Sequence, residues 1–269
     1  GDSASTGAES VAVIDTAALF SDWDLDGSYD ESAAVHIQLE GETAVCDSDA
    51  VSIDGSRITL LDEGTYLVSG ALTDGQIVVD AGDTDKVQIV LAGASLTCAD
   101  SAAIYSKSAD KVFLTLAEGT ENTLTNGGSY IAIDENNIDS VVFSKTDLTL
   151  NGSGSLTIDA QAGHGVVSKD ELTITGGSYT VTAAEHGMTG KDSLAVAGGD
   201  FTIISGKDGL HAENADDSAL GFLYVADGTF TITAQGDAVS ASGALQVDGG
   251  TFDLTTGGGS ASVTMTTGD

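Results

Sequence analysis

A short phrase recurs through the C-terminal half of this chain, and its spacing constrains the fold more than any other feature. In its fullest form, as in residues 172–181, alternating aliphatic residues lead into a glycine turn and then into an aromatic residue with further alternation. The copies begin at Leu148, Leu172, Leu194, Leu223 and Leu245, in steps of 24, 22, 29 and 22 residues. Such a repeat is too short for an array of helical hairpins and lacks the residues of a leucine-rich repeat. We therefore predict an all-β parallel β-helix, a solenoid with coils of about 22 residues.

The composition agrees with a stack of parallel strands. The 269 residues include no proline and 35 glycines. A parallel ladder uses every backbone N–H and needs tight turns, so both counts fit. Aromatic residues make up 5% of the chain, which fits an interior too narrow for many large rings. The repeat favours one solenoid over two globular domains.

Four segments are expected along the chain. We expect residues 1–15 to be a linker and residues 16–60 to form an N-terminal cap with the first strands. Residues 61–256 should form the β-helix, and residues 257–269 should be a tail that frays where the pattern is lost. A cap is expected because the open end of a β-stack must be kept from pairing with other strands. The small polar residues at the start resemble a mature linker without its signal segment, so we expect a secreted or cell-surface protein. No run of about 18 apolar residues is present, and no membrane span is predicted.

The charge of the chain is strongly acidic. There are 42 Asp and Glu residues against 8 Lys and Arg, a formal net charge of −34. Nucleic acid and anionic membranes are therefore excluded as expected partners, since both need basic surfaces. Two compatible interpretations remain. The charge keeps an exported protein soluble, or some carboxylates bind Ca²⁺, which takes oxygen ligands.

The cysteine content gives little guidance. Cys46 and Cys98 are the two cysteines of the chain, too few for a disulfide framework or for zinc spacing. They are either small core residues or the two halves of a single disulfide. The sequence does not predict the oligomeric state.

When the repeats are aligned, lysines fall in one column. Lys107, Lys145, Lys169 and Lys191 occupy it, four of the seven lysines in the protein, and an aspartate follows each within three residues. These are either exposed Lys–Asp pairs that add little stability or a cationic strip that binds the carboxylates of an acidic polymer. The candidate ligand-binding residues are Lys145, Lys169, Lys191, Asp170, Asp192 and, where the lysine pattern stops, His211.

A neighbouring column and an inserted loop predict a calcium site. The column contains His164, His186, Asp208 and Asp237, and the 29-residue step adds an acidic loop near it. Insertions in solenoids often lie on the binding face. The candidate calcium ligands are Asp208, Glu213, Asn214, Asp216, Asp217 and Asp237, with a solvated acidic loop as the alternative.

A second candidate calcium segment lies near the N-terminus. Asp22, Asp24, Asp26 and Asp30 have the spacing of positions one, three, five and nine of an EF-hand loop. The twelfth position, which should be Glu, is Ala33. The segment is either a calcium site or a polar N-terminal cap.

Several longer segments carry a family resemblance. They include Ile-Val-Val-Asp-Ala-Gly-Asp-Thr-Asp at 77–85, Ala-Ile-Tyr-Ser-Lys at 103–107, and residues 114–124 and 148–156. The Ser-Lys-Asp and Ile-Thr-Gly-Gly repeats, Asp24-Leu25 and residues 29–32 extend it over roughly 20–260. In these residues the chain resembles clostridial carbohydrate-binding proteins with a right-handed parallel β-helix.

That resemblance implies a secreted or cell-surface protein of plant-fibre-degrading bacteria. It implies binding of cellulosic and acid-sugar polymers such as polygalacturonate, with Ca²⁺ on the coil, in a fold that also resembles polysaccharide lyases. Family turns commonly read Gly-Asp-Gly-Ile, whereas this chain has His164 and His186 at two of those turns. Calcium in that column is therefore expected at Asp208 and Asp237.

The expected function is non-catalytic binding of acidic plant polysaccharide, with Ca²⁺ bridging protein and uronate carboxylates. No catalytic residue is assigned. The first alternative is a Ca²⁺-dependent pectate-lyase-like enzyme, which needs a base and a cation near the developing charge. Lys169 or Lys191, beside Asp170, Asp192 or Asp208, could fill those roles. However, the lysines form a repeated series, and the single arginine, Arg57, is distant in sequence. The second alternative is a structural cell-surface adhesin.

Overall fold

The computed structural model describes residues 14–257. Most of the expected linker, residues 1–13, and most of the expected tail, residues 258–269, lie outside the described part. Within it the chain is nearly all β, with a 3₁₀ turn at Thr16–Ala18 and a short helix α1 at Asp22–Leu25. No helix there is long and apolar enough to cross a bilayer. Cys46 and Cys98 are free thiols, and Cys98 is buried.

The strands follow one another with short connections. The first twelve are β1 (Val35–Gly41), β2 (Ala44–Val45), β3 (Val51–Asp54), β4 (Arg57–Leu60), β5 (Gly64–Leu72), β6 (Gln76–Asp80), β7 (Lys86–Cys98), β8 (Ile104–Ser108), β9 (Lys111–Leu116), β10 (Glu121–Asn126), β11 (Ser140–Ser144) and β12 (Asp147–Gly152). The rest are β13 (Ser155–Ala160), β14 (His164–Ser168), β15 (Glu171–Ile174), β16 (Ser178–Ala183), β17 (Met188–Gly190), β18 (Ser193–Val196), β19 (Asp200–Ser205), β20 (Leu210–Ala212), β21 (Phe222–Val225), β22 (Thr229–Ala234), β23 (Val239–Ala241), β24 (Leu245–Val247) and β25 (Thr251–Thr256).

These strands form two sheets. The first has 16 strands and two courses that meet at β7, a strand of 13 residues. The first part of β7 pairs with β9, which begins a course through β12, β15, β18, β21 and β24. Its last part pairs with β10, which begins a course through β13, β16, β19, β22 and β25. The second sheet has nine strands in the order β3, β4, β6, β8, β11, β14, β17, β20 and β23.

The sequence repeat sets the register of the first sheet. Leu148 pairs with Leu172, which pairs with Leu194, and the series continues to Leu223 and Leu245. These leucines are buried as far as Leu223. A slip of one residue would turn every buried side chain to the solvent, so the alternating pattern holds the strands in this register.

Aromatic residues of the phrase form a second stack, in the other course of the same sheet. Tyr179, Phe201, Phe230 and Phe252 pair in register, with ring centroids 5.3, 4.8 and 4.7 Å apart. The glycine two residues before each ring is conformationally required. Gly177 has φ of +98°, and a Cβ there would lie 2.7 Å from the Tyr179 hydroxyl oxygen. The Gly-Gly turn thus makes room for the ring that follows it.

The predicted right-handed parallel β-helix with coils of about 22 residues and an N-terminal cap is wrong as a description of this fold. The strands divide between two sheets, of 16 and 9 strands, which are not closed. Antiparallel pairs, β1 with β2 and β3 with β4, also occur. The period of two and the repeat length specify strands with parallel neighbours. They do not specify how many sheets those strands form or whether a sheet closes.

The N-terminal segment lies across the outer face of the first course. The Phe20 ring packs near the Tyr224 ring, with centroids 6.2 Å apart, and the Trp23 ring packs near the Phe113 ring, with centroids 5.9 Å apart. Between them, the Thr149 hydroxyl donates to Asp24 Oδ1 over 2.5 Å. Strands β2 and β3 lie at the ends of their sheets. The expected boundaries at 15, 60 and 256 stay predictions.

Candidate functional site

The structure brings the predicted lysines together at the carboxyl ends of successive strands of the second sheet. The Lys145 N–H donates to Ser106 O over 3.0 Å, and the Lys169 N–H donates to Ser144 O over 2.8 Å. The Lys191 N–H then donates to Ser168 O over 3.0 Å. We call Lys107, Lys145, Lys169 and Lys191 the lysine column. Neighbouring parallel strands are about 4.8 Å apart, so the column repeats positive charge at that interval.

A row of oxygen-bearing side chains follows the lysine column. The Asp192 N–H donates to Asp170 O over 3.0 Å, and Asp147 Oδ1 accepts the Glu171 N–H over 3.1 Å. On the far side, Asn214 Nδ2 donates to Asp192 Oδ1 over 2.7 Å. We call the three aspartates Asp147, Asp170 and Asp192 the carboxylate column, and the Asn214 amide lies next to its last member. The two predicted ligand residues Asp170 and Asp192 are therefore adjacent.

The carboxylate column concentrates negative charge. Burial raises the pKa of Asp170, and the neighbouring charges of Asp147 and Asp192 raise it further. Lys191 and Lys145 act in the opposite direction and do not cancel the effect. A bound cation would relieve this repulsion, because an opposite charge favours the ionised carboxylate.

The ammonium groups of the lysine column differ in their partners. Lys107 pairs with Asp80 at 2.9 Å and Lys191 with Asp216 at 3.1 Å, both largely exposed. Exposed pairs contribute about 0–1 kcal/mol. Lys169 lies over the Phe143 ring, 5.7 Å from its centroid. Within residues 14–257, the lysine ion pairs closer than 4.0 Å include neither Lys145 nor Lys169.

The inserted acidic loop contacts both columns. Asn214 Oδ1 accepts the N–H groups of Asp216 and Asp217, each over 2.9 Å, while its amide bonds to Asp192. Asp217 Oδ1 accepts the Ala219 N–H over 2.8 Å. Asn214 is buried, whereas Asp216 and Asp217 are exposed. The loop is thus a self-bonded turn fixed beside the lysine column.

Two of the other predicted calcium ligands, Asp208 and Asp237, lie at the opposite end of the second-sheet strands, whereas Glu213 follows β20 at the lysine end. Three side chains at the opposite end each accept the backbone N–H of the residue at the same position on the next strand. His164 Nδ1 accepts from His186 over 3.0 Å, His186 Nδ1 accepts from Asp208 over 3.1 Å, and Asp208 Oδ1 accepts from Asp237 over 2.8 Å. We call His164, His186, Asp208 and Asp237 the acceptor column. Two histidines are followed by two aspartates in this column, and an imidazole nitrogen or a carboxylate oxygen can each supply such an acceptor.

A third histidine completes a stack of imidazole rings. His186 lies 5.1 Å from His164 and 3.9 Å from His211, measured between ring centroids. His211 Nδ1 lies 2.8 Å from Asp208 Oδ2, and its Nε2 lies 3.3 Å from Glu213 Oε2. Two of the predicted calcium ligands, Asp208 and Glu213, are therefore engaged by an imidazole.

Burial keeps two of these histidines neutral. It lowers the pKa of His164 to about 4, although the nearby Glu185 carboxylate opposes the shift. It lowers the pKa of His186 to about 4, with the neighbouring rings of His211 and His164 acting in the same direction. A backbone N–H donated to Nδ1 also disfavours a proton there.

The ligand atoms of His186, Asp208 and His211 lie within 4.8 Å of one another, the one such group of three or more found in residues 14–257. Nitrogen ligands of this kind suit Zn²⁺ and similar ions better than Ca²⁺. However, the rings of His186 and His211 are 12° from parallel. An imidazole binds a metal in its ring plane, so one ion cannot lie in both planes without ring rotation. The group is not a preformed metal centre.

The EF-hand-like aspartates are not brought together around one point. Asp24 is buried and pairs with Lys111 at 2.7 Å. Burial acts to raise its pKa, but hydrogen bonds from Lys111, Thr149 and Ser21 outweigh it and hold the pKa below its usual value. Asp26 accepts the Ser28 N–H and Asp30 accepts the Ser32 N–H, each over 2.9 Å, while Asp22 lies in α1. This geometry fits the polar alternative, and calcium at this segment stays a prediction.

Sequence reasoning missed two features of the surface. It did not join Asp24 to Lys111 and Thr149, because no local pattern links residues so far apart. It also did not single out the exposed Trp23, although Trp23 is the single tryptophan of the chain. That count was an available signal, since a lone tryptophan in an aromatic-poor chain is a natural candidate for ligand contact.

Comparison with known proteins assigns the family. The family model for carbohydrate-binding domain-containing proteins matches residues 54–269. A protein of the same description from Acetivibrio thermocellus is 38% identical over 137 residues, which are 50% of this chain and 48% of the relative. The chain thus matches about half the length of that relative.

A solved structure has a similar fold. It is described as the polysaccharide lyase-like protein from C. thermocellum, gadolinium derivative, and it matches with a TM-score of 0.74 at 33% identity. The match covers 83% of this chain and 94% of that one. The predicted resemblance to clostridial carbohydrate-binding proteins is confirmed. Since the family model spans most of the sequence, the chain belongs to the family of carbohydrate-binding domain-containing proteins.

Proposed function

We propose that this chain is a non-catalytic binder of acidic plant polysaccharide, with polygalacturonate as its ligand and Ca²⁺ as a bridging ion. The family supports a carbohydrate ligand. The single observation that carries the acidic class is the lysine column beside the carboxylate column. An extended polymer of uronate residues would meet both at regular intervals.

Lys145 and Lys169 provide the direct contacts in this proposal. Their ammonium groups have no ion-pair partner within residues 14–257 and stand next to each other in the column. A uronate carboxylate can accept charge-assisted hydrogen bonds from such groups, which are about twice as strong as neutral ones. Two positions repeated along the strand stack can bind two carboxylates of one polymer.

Calcium resolves the charge conflict between protein and polymer. A net charge of −34 repels a polyuronate at long range, and the crowded Asp170 adds to this repulsion locally. Ca²⁺ takes about six to eight oxygen ligands and tolerates a flexible geometry. The carboxylate column supplies some of them, and we propose that uronate oxygens supply the rest.

Two further expectations belong to this proposal. Plant polymers lie outside the cell, so we propose a secreted or cell-surface location. Cellulose is a second proposed polymer, and the charged columns offer no specific reason for it.

Gel retardation by embedded polygalacturonate tests the proposal. We expect retardation with Ca²⁺ that disappears in EDTA while the circular dichroism spectrum is unchanged. The double variant Lys145→Ala and Lys169→Ala should weaken retention about tenfold, equivalent to about 1.4 kcal/mol. Lys207→Ala is the matched control, because Lys207 lies outside the column and pairs with Glu185. Retention that is unchanged in EDTA would reject the calcium bridge, and no retention in any condition would reject the acidic-polymer proposal.

A lyase is the second candidate function, favoured by the description of the similar structure as polysaccharide lyase-like. A lyase needs a base that removes a sugar proton, and a cation near the developing charge. Incubation with polygalacturonate and Ca²⁺ separates the two functions through the absorbance of the unsaturated product. Steady growth of that absorbance, lost in the Lys169→Ala variant, would replace the non-catalytic proposal. A structural adhesin predicts neither product nor retention.

A further inference from the structure

A groove lies on the outer face of the first course, and Trp23 lines it. Among the large hydrophobic residues of 14–257, Trp23 has the most exposed side chain. The groove has a volume of about 750 Å³, and it runs between α1 on one side and the starts of β5 and β7 on the other. Trp23 is 62% exposed and forms one wall. An indole ring exposed to this extent loses the hydrophobic stabilisation of burial, so its position calls for a ligand.

The orientation of Trp23 is fixed by its neighbours. Its ring lies over Phe113, which is only 3% exposed. The next residue, Asp24, is anchored by Lys111 and by the Thr149 hydroxyl, and Asp24 also forms a capping box with Ser21. Binding therefore requires little ordering of the indole, which lowers the entropic cost of complex formation.

Polar groups surround the exposed face of the indole. Gln88 is held in place, since its Nε2 donates to Ser28 O over 3.2 Å and to Thr115 Oγ1 over 3.0 Å. The carboxylates of Asp22, Asp26 and Glu63 line the same groove. An aromatic plate with hydrogen-bonding groups at its edge is suited to a ligand with one apolar face and a polar rim.

The charge of the groove selects among such ligands. Asp22, Asp26 and Glu63 bring three negative charges, while the one lining ammonium, Lys86, is paired with Asp110. A uronate entering here would face uncompensated repulsion. A neutral sugar would not, and its hydroxyl groups could donate to the carboxylate oxygens.

We propose that the Trp23 groove binds a neutral pyranose chain, with the C–H face of one sugar ring stacked on the indole. This inference rests on the proposed function, in which cellulose is the second polymer, and it assigns the neutral class of sugar to a site of its own. The site and the sugar class differ from those of the lysine column. The chain then has two binding surfaces, one for neutral and one for acidic sugars.

Trp23 fluorescence reports on this groove directly, because the chain has no other tryptophan. The probes are neutral hexasaccharides of glucose, xylose and mannose, each titrated without added Ca²⁺. We expect at least one to shift the emission to shorter wavelength with saturation, since stacking removes water from the ring. Trp23→Ala should weaken retention on the matching insoluble polysaccharide at least tenfold, and Trp23→Phe should restore part of it.

The controls separate this proposal from the preceding one. Trp23→Ala should leave polygalacturonate retention unchanged, and the Lys145→Ala, Lys169→Ala variant should leave neutral-sugar binding unchanged. No emission shift with any neutral hexasaccharide overturns the groove proposal, whatever polygalacturonate does. A shift seen only with oligogalacturonate, or only on self-association in sedimentation, overturns it as well. Trp23 is mostly exposed, so Trp23→Ala should fold, which circular dichroism checks.

Discussion

The two ends of the second-sheet strands carry the same repeat geometry and use it in opposite ways. At one end, the acceptor column buries imidazoles that accept backbone N–H groups from the next strand. At the other end, the lysine and carboxylate columns place charges near solvent, and the ammonium groups of Lys145 and Lys169 form no ion pair with any residue of the described part of the chain. A column of repeated residues thus serves stability at one end, and at the other end it is the surface for which we propose ligand binding. Burial and hydrogen bonding, not repetition, distinguish the two ends.

The acid response of the acceptor column should be the largest effect. Neutral His164 and His186 have pKa values of about 4, below the ordinary 6.5 of an unfolded chain. The unfolded state therefore binds more protons between pH 6.5 and 4, and stability falls as pH falls through that window. The loss is at most roughly 3 kcal/mol per histidine. Urea unfolding at pH 7 and pH 4.5 measures it, and equal stability at both would contradict the burial of these rings.

Replacement of His186 should give the next largest effect. In His186→Ala the Asp208 N–H loses its acceptor, which costs about 1–3 kcal/mol of folding free energy. His186→Asn keeps a neutral acceptor at the same position, so we expect it to recover part of this loss. Thermal unfolding at pH 7 compares the two variants. Equal destabilisation by both would show that ring stacking, instead of the hydrogen bond, holds the column together.

The carboxylate column should respond to acid in the opposite sense. The pKa of Asp170 is raised, so its contribution to stability is fully present below the ordinary aspartate pKa of about 4 and is lost as pH rises through its folded value. At pH 7 in EDTA, Asp170→Asn should therefore stabilise the fold, by up to about 1 kcal/mol.

Calcium should reverse that difference. If the column binds Ca²⁺, the wild-type protein gains stability in millimolar Ca²⁺, because a ligand that binds only the folded state stabilises it. Asp170→Asn should gain less. Calorimetric melting of both proteins in EDTA and in Ca²⁺ makes the comparison, and an identical calcium response would remove Asp170 from the proposed ligands.

Loss of a lysine should affect stability least. Lys191 and Asp216 form an exposed pair, so Lys191→Ala should change the free energy of unfolding by less than about 1 kcal/mol. Polygalacturonate retention should nevertheless fall, because the column loses one positive charge. A large stability loss, measured by urea unfolding, would mean that the lysine column is structural and would erase its contrast with the acceptor column.

Much of the candidate site was predictable from the spacing of the repeats. Lys145, Lys169 and Lys191 lie next to each other because the alternating pattern of the preceding strands fixes the register. The contact of the inserted loop with Asp192 was also accessible in outline, since an insertion interrupts the repeat at that point. The stacking of the His211 ring on the His186 ring could not be predicted in this way. The two residues occupy different positions of the repeat, since His211 pairs with Thr189 while His186 lies before β17.

The sequence by itself determined the strands, their parallel partners and the residues that share a column. These follow from a period of two and a repeat length, which act on each strand and its nearest neighbours. Only the tertiary structure decided that the strands form two open sheets, that Asp24 pairs with Lys111, and that Trp23 lies exposed over Phe113. Those outcomes depend on contacts between segments far apart in the chain. No local pattern encodes such contacts, because they are selected by the packing of the whole fold.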